Sequence, residues 1–417
     1  DRIKGVDVLF SGQLFRQQLR IKRKAGQPLI ALTAIVFGHE LIVNRPGRWS
    51  VEPIGNNKYL ALNDMRSKSA SKRTVILHVG MHKTATTYIQ TCLRKNLELL
   101  RQEGFITPGS RKENTALVRS LVSGSMHQWT EWLESAAKAG CQPLMSHEAF
   151  SLTLCKPGTG MSVQSGIWLA KQLKSMDWRL RIISFIRSQE SYLNSRYTQL
   201  AKRLRVDCDF KTYVMKVMNG GTISECNLMT LFGWLREDTS IGFSMIPFGS
   251  ARDQHGHSVQ HNVDPFEQLL SELDLPSATI AGTRRAKALN QQPGRLGVDL
   301  ARDVCQFMQQ RHPDELKSHR KRLRNAIEDI AAKKKWHHEP FNGLTTQLRQ
   351  DIREHYQETN QMFCQSFWPN QQWEQIFPDT HTTKTESPRD INDKADKLRV
   401  LRNNVITSTI PSLSTIQ

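Results

Sequence analysis

The sequence lacks the cysteine spacing that would organise a small secreted fold or hold zinc. Its seven cysteines (Cys92, Cys141, Cys155, Cys208, Cys226, Cys305 and Cys364) are scattered and odd in number, with no CxxC pair and no Cys/His ligand spacing. This fits reduced thiols in a cytosolic protein better than a disulfide framework or a zinc site. Long apolar runs are also missing. The longest, near Pro28–Gly38, is about half of what a bilayer requires, and His39 and Glu40 follow it. No transmembrane segment is expected. A cationic start followed by an apolar stretch and a small-residue cleavage site is not visible, so no signal peptide is expected either. Localisation reads as cytoplasmic, with peripheral contact to a membrane left open. There is no internal repeat and no Asp/Glu cluster with metal-ligand spacing. At 38% hydrophobic and 23% charged residues, with 24 Gly and 16 Pro, the composition excludes collagen, a coiled coil or disorder throughout.

What is present is positive charge. Fifty-eight Lys and Arg against 39 Asp and Glu give a net charge of +19 over 417 residues. Residues 1–73 hold 14 basic and 5 acidic residues, residues 379–417 hold 6 and 5, and the remainder carries another +9. An excess of this size favours an anionic partner, among them nucleic acid, anionic lipid, polyanionic sugar and phosphorylated nucleotides, and charge alone does not choose among them.

At about 150 residues per domain the length allows two to three domains. Residues 1–73 read as a basic extension with some β structure. Arg16–Lys24 is a basic stretch, Leu29–Phe37 and Glu40–Val43 are β-type runs, and Ser67–Arg73 is a polar linker. From Thr74 the pattern changes. Thr74–Val79 is a short apolar run rich in β-branched residues, as in a strand buried on both faces. A polar loop follows, Gly80–Thr86, and then helical spacing over Thr87–Leu100. Further strands are expected at Gly104–Pro108, Gln142–Met145, Leu180–Ile186 and Ile241–Phe248. Helices are expected at Leu117–Ala139, Ile167–Met176 and Ser191–Arg203, and Asp264–Cys364 reads as mostly helical. Alternating strands and helices predict an α/β fold with a central parallel sheet flanked by helices in three layers, and a helical C-terminal part. Residues 74–378 form this domain. Residues 379–417 read as a polar, disordered tail, apart from a short helix near Asp393–Leu401.

The loop His78-Val79-Gly80-Met81-His82-Lys83-Thr84-Ala85-Thr86-Thr87 joins a buried strand to a helix. Backbone N–H groups at a helix N-terminus, together with the helix dipole, bind phosphate. A lysine in such a loop adds a compact positive charge. The loop is not Walker A, because Lys83 follows Gly80 by only three positions and no Gly-Lys-Ser/Thr is present.

HVGMHKTATTYIQ resembles the 5′-phosphosulfate loop of the sulfotransferases. It looks most like the bacterial branch that reads His-x-Gly-x-His-Lys-Thr-Gly-Thr-Thr. The resemblance implies a P-loop α/β fold and 3′-phosphoadenosine-5′-phosphosulfate (PAPS) as donor. Ala85 departs from it, since Gly is usual there; if the position requires φ > 0, Ala costs about 1 kcal/mol or more. A second mark of the family is an arginine after a strand and a serine eight residues on, which together bind the donor's 3′-phosphate. Here they are Arg187 and Ser195 in LRIISFIRSQESYLNS. The basic segment Thr283–Asn290 looks like a further donor-binding segment and offers Arg284 and Arg285, although a solvated basic loop reads the same way. The resemblance spans Thr74 to Phe377.

It also implies roles. Lys83 stabilises the leaving 5′-phosphate oxygen. Thr84, Thr86, Thr87 and the amides of the loop, Ala85 included, cradle that phosphate. His82 assists or only caps the helix. The general base is Glu148 first and His147 second, in Ser146-His147-Glu148 after a strand; a helix-capping or ion-paired Glu148 is the plain alternative. No metal is required. The leading expectation is sulfuryl transfer to a hydroxyl or amine, with a carbohydrate as the acceptor. The alternatives are a P-loop nucleotide or small-molecule kinase, and a polyanion-binding protein that has lost its chemistry. No specific nucleic-acid partner is expected.

Overall fold

The computed structural model describes residues 6–10, 15–19, 32–37, 40–45, 48–53, 73–81, 83–220, 225–248, 250–252, 258–260, 263–286, 293–378 and 388–413. The chain divides into two compact units, Asp1–Lys72 and Arg73–Gln417.

The first unit is a five-stranded sheet. Its strands are β1 (Val6–Phe10), β2 (Phe15–Leu19), β3 (Leu32–Phe37), β4 (Glu40–Arg45) and β5 (Arg48–Pro53), in the order β2-β1-β3-β4-β5. Only β1 and β3 run parallel; the other pairs are antiparallel.

The second unit is built on β6 (Arg73–Val79), β7 (Phe105–Ile106), β8 (Gln142–His147), β9 (Trp178–Ile186) and β10 (Gly242–Pro247). All neighbouring pairs are parallel, and the order is β10-β9-β6-β8-β7. A small antiparallel pair, β11 (Ser250–Arg252) and β12 (Ser258–Gln260), follows. The near-continuous apolar character of β6 has a direct cause. Val75, Leu77 and Val79 point into one core while Ile76 points into the other, and all four are buried. The first core packs helices such as Arg111–Val122, His127–Lys138, Ser165–Ser175 and Gln189–Lys202 against the sheet; the second packs Thr86–Lys95 and Pro265–Glu272. The result is three layers, helix on sheet on helix.

Two expected helices are each broken in two. Thr87–Leu100 divides into Thr86–Lys95 and Leu97–Gln102, because Asn96 turns its side-chain amide onto the Cys92 carbonyl at 2.7 Å and competes with the helical ladder. Leu117–Ala139 divides at Gly124, whose φ of 69° closes the first helix at Val122.

The C-terminal tail requires a correction. Pro388–Thr409 is a 22-residue helix. Leu398, Val405, Ile406 and Ile410 are buried in a third core with Leu300, Val304 and Met308 of helix Gly294–Arg311 and with Leu323 and Ile327 of Pro313–Lys333. Mean polarity concealed a stripe at helical spacing: Leu398, Leu401, Val405 and Ile406 recur on one face among charged residues. No helix among the described residues is long and apolar enough to cross a membrane.

Candidate functional site

From β6 the chain moves outward to β7 and back to β8, then crosses to the opposite side for β9 and β10. The connections leaving β6 and β9 therefore diverge in opposite directions. In open parallel sheets ligands bind in the crevice this creates, beyond the carboxyl ends of the strands. Gly80, Met81 and Lys83–Ala85 follow the end of β6 and Arg187 the end of β9.

Lys83 and Ala85 both adopt left-handed backbone, with φ of 72° and 59°, while Thr84 between them does not. Alternation of this kind turns successive amides toward one side and makes an anion-binding concavity. Ala85 is the N-cap of Thr86–Lys95 and its side chain caps nothing, so the first N–H groups of that helix face the loop without an internal partner. The Thr86 hydroxyl is buried and has no hydrogen-bond partner. Gly80 is dictated by the same threonine: a Cβ there would stand 2.1 Å from Thr86 Oγ1.

Arg187 holds the loop from across the crevice. Its Nη1 donates to the Lys83 carbonyl at 2.9 Å and its Nη2 to Ser191 Oγ at 3.3 Å, and the guanidinium lies 5.6 Å from the Phe248 ring centroid. Burial lowers the Arg187 pKa to about 10. Lys83 is lowered to about 8, first by burial and then by the positive charges of Arg187, Arg203, Arg196 and Lys202. Arg187 weighs most among these charges. Arg196 and Lys202 are themselves paired, with Glu225 at 3.8 Å and Glu328 at 3.3 Å, so an anion entering beside Lys83 and Arg187 relieves chiefly their mutual repulsion.

Glu148 follows β8. Its Oε2 accepts from the Gln90 amide at 3.0 Å, and Gln90 is a buried residue one turn after Thr86. The carboxylate is thereby tied to the helix that begins at the loop. On the neighbouring strands, His78 and Ser146 face each other in register and share a 2.7 Å hydrogen bond through His78 Nδ1. Burial drives the His78 pKa down to about 3, against a smaller upward pull from Glu148, so this imidazole is neutral. Its Nε2 is buried without a partner.

Other sequence-predicted residues are differently placed. Thr84 is fully buried, and its hydroxyl donates to the Met81 carbonyl at 2.7 Å, which leaves only its backbone for a ligand. Thr87 is exposed. His147 Nδ1 accepts the Ala149 N–H at 3.0 Å, a bond that shapes its own turn. Ser195 is buried one turn beyond Ser191, and Ser191 is the hydroxyl that meets Arg187. Arg285 pairs with Asp264 at 3.0 Å and Glu267 at 3.6 Å, so its guanidinium is already neutralised. Arg284 is held through its backbone by the Asn96 side chain, at the end of the helix opposite the loop, about 15 Å away for ten residues. His82 lies outside the described residues.

Sequence reasoning missed Gln90, Ser191 and the cluster Arg196, Lys202 and Arg203. A helical-spacing test would have found Gln90, which follows Thr86 by four positions on one helix; Arg187 precedes the helix that carries Ser191, so no such test applies there.

No protein-family model matches the chain, and no curated protein matches it significantly. The functional reading therefore rests on the geometry of this chain.

Proposed function

We propose that this chain is a sulfotransferase of P-loop type that moves a sulfuryl group from PAPS to a hydroxyl or amine, with a carbohydrate as acceptor. The observation that carries the reading is the loop itself. The loop has two left-handed residues, Lys83 and Ala85, uncapped helix amides after them, a buried Thr86 hydroxyl without a partner, and Arg187 bonded to the Lys83 carbonyl, at the switch point of a parallel sheet. These residues fit a 5′-phosphosulfate group: they supply hydrogen-bond donors and positive charge, and the orphaned hydroxyl lacks a partner that such a group would provide.

PAPS would supply an activated sulfuryl group and a nucleotide phosphate as leaving group. The chain's own residues supply charge and position. Lys83, with a pKa of about 8, holds a proton at neutral pH and directs positive charge to the loop. Arg187 fixes the carbonyl of Lys83 and so its conformation. To Glu148, held by Gln90, we assign the acceptance of a proton from an acceptor hydroxyl. Arg285, being ion-paired, is not assigned to the 3′-phosphate.

A polyanion-binding protein without chemistry is the second reading, favoured by the non-glycine residue at φ 59° in the loop. Calorimetric titration with adenosine-3′,5′-bisphosphate against AMP separates the two. Binding that needs the 3′-phosphate supports the donor site. Equal or absent binding of both nucleotides sinks it.

A further inference from the structure

Helix Arg111–Val122 borders a groove of about 710 Å³, within the range of small-molecule sites. Arg111, Lys112 and Arg119 line it together with the hydroxyl residues Thr115, Ser123 and Ser125. All three cations are exposed, and among the described residues none is ion-paired to a carboxylate. The nearest acid in sequence, Glu113, is turned away: its carboxylate accepts from the Gly109 N–H at 3.0 Å and from the Ser110 hydroxyl at 2.9 Å. Arg111 and Arg119 are eight helical residues apart, about 12 Å, so the groove suits a ligand with more than one negative group.

The helix is tied at both ends to segments that leave the carboxyl ends of strands. Arg111 comes shortly after β7, and the Val122 carbonyl accepts the Thr159 N–H at 2.8 Å from the segment beyond β8. Both ends of the helix thus connect to segments that follow β7 and β8, on one side of β6 in the sheet. No aromatic side chain lines it, which removes the stacking platform that single-stranded nucleic acid uses. Hydroxyl groups alternate with the cations and suit a ligand that itself carries hydroxyls.

The geometry points to a binding site for an oligosaccharide bearing several sulfate or carboxylate groups. The role of that sugar as the acceptor rests on the sulfotransferase reading; its binding does not. The cations hold the anionic groups of the sugar chain and the hydroxyl residues accept from its alcohols.

The test is calorimetry on the full chain with a sulfated hexasaccharide at several salt concentrations, and again on the triple variant R111S/K112S/R119S. The variant is expected to bind at least tenfold more weakly, with a shallower dependence on salt, while its Tm and its affinity for adenosine-3′,5′-bisphosphate stay unchanged. Three results overturn the proposal: no binding of the hexasaccharide by the unaltered chain, equal binding by the variant, or equal affinity of the groove for a single-stranded oligonucleotide of the same charge. Hexasaccharide binding that is lost in the variant, alongside failure of the unaltered chain to bind the bisphosphate, would uphold the groove and sink only the donor reading.

Discussion

Arg187 reaches from the end of β9 to the carbonyl oxygen of Lys83 at the end of β6, 2.9 Å away, and with its other nitrogen meets Ser191 at 3.3 Å. One side chain thus locks the backbone of the loop and remains beside its cation. Arg187→Ala removes both the lock and the charge. Binding of adenosine-3′,5′-bisphosphate is expected to weaken at least tenfold, and amide exchange at residues 83–87 to accelerate. Arg187→Lys keeps the charge without the fork, so it should recover part of the affinity and little of the exchange protection. Unchanged exchange in Arg187→Ala would remove the clamp from the account.

The Lys83 ammonium has its pKa pulled down from the usual 10.5 to about 8. Between these values the unfolded chain holds a proton that the folded chain has released, so the contribution of this group to stability rises with pH across that window, and its cost is fully present below about 8. Lys83→Met should therefore stabilise the protein at pH 7, on the order of 1 kcal/mol once solvent screening of a partly exposed group is allowed for. The same variant should abolish transfer. In the unaltered protein, bisphosphate affinity should fall as pH rises through about 8. Thermal melts and titrations from pH 6 to 10 check both limbs.

Ala85 sits at φ 59° and ψ 18°. Ala85→Gly removes the left-handed strain but adds freedom to the unfolded chain. The expected net gain is about 0.5–1 kcal/mol, a rise in Tm of about 1–2 °C for a unit of this size. Nucleotide affinity should stay within threefold, since the loop already has this conformation. A loss of stability would show that the strain is not where the backbone angles place it.

Gly80 and Thr86 form a tight pair, because a Cβ at Gly80 would meet Thr86 Oγ1 at 2.1 Å. Gly80→Ala is expected to cost about 2 kcal/mol or more. Thr86→Ala in the same chain should restore part of that cost, because the clashing hydroxyl is gone. A double-mutant cycle measures the coupling, and additivity of the two changes would refute the contact.

Gln90 donates to Glu148 at 3.0 Å, so under the proposed function it would act only through that carboxylate. Gln90→Leu should lower kcat about tenfold with KM for the donor little changed, and should shift the acidic limb of the pH–rate profile. Gln90→Asn, one methylene shorter, should not rescue it. A pH profile identical to that of the unaltered chain would reduce Gln90 to a packing residue.

Much of the sheet was legible because burial on both faces writes itself as an uninterrupted apolar run. β6 and β9 approach such runs, interrupted by His78 and by Arg181 and Ser184, and the alternation with helices points to a parallel sheet. The strand–loop–helix unit at Gly80 was legible for the same reason, and the arginine at the end of β9 stood out beside it. The choice of Ser191 over Ser195 as the hydroxyl at Arg187 was not, because it depends on the exit angle of the helix from β9. Arg285 read as a donor-binding or solvated basic residue, yet Asp264 and Glu267, about twenty residues before it, pair with it through tertiary packing. The helix Pro388–Thr409 was missed because its apolar stripe is thin and averages away among charges.

That helix has a bearing on how the protein comes into being. Leu204, just past the helix that carries Ser191, Arg196 and Lys202, is buried in the same core as Val405, Ile406 and Ile410. A ribosome delivers these partners some two hundred residues apart. The nascent chain can pair its parallel strands early, but Leu204 stays without part of its cover until the last stretch has emerged. The end of helix Gln189–Lys202 therefore gains its last buried neighbours only once residues 398–410 have been made.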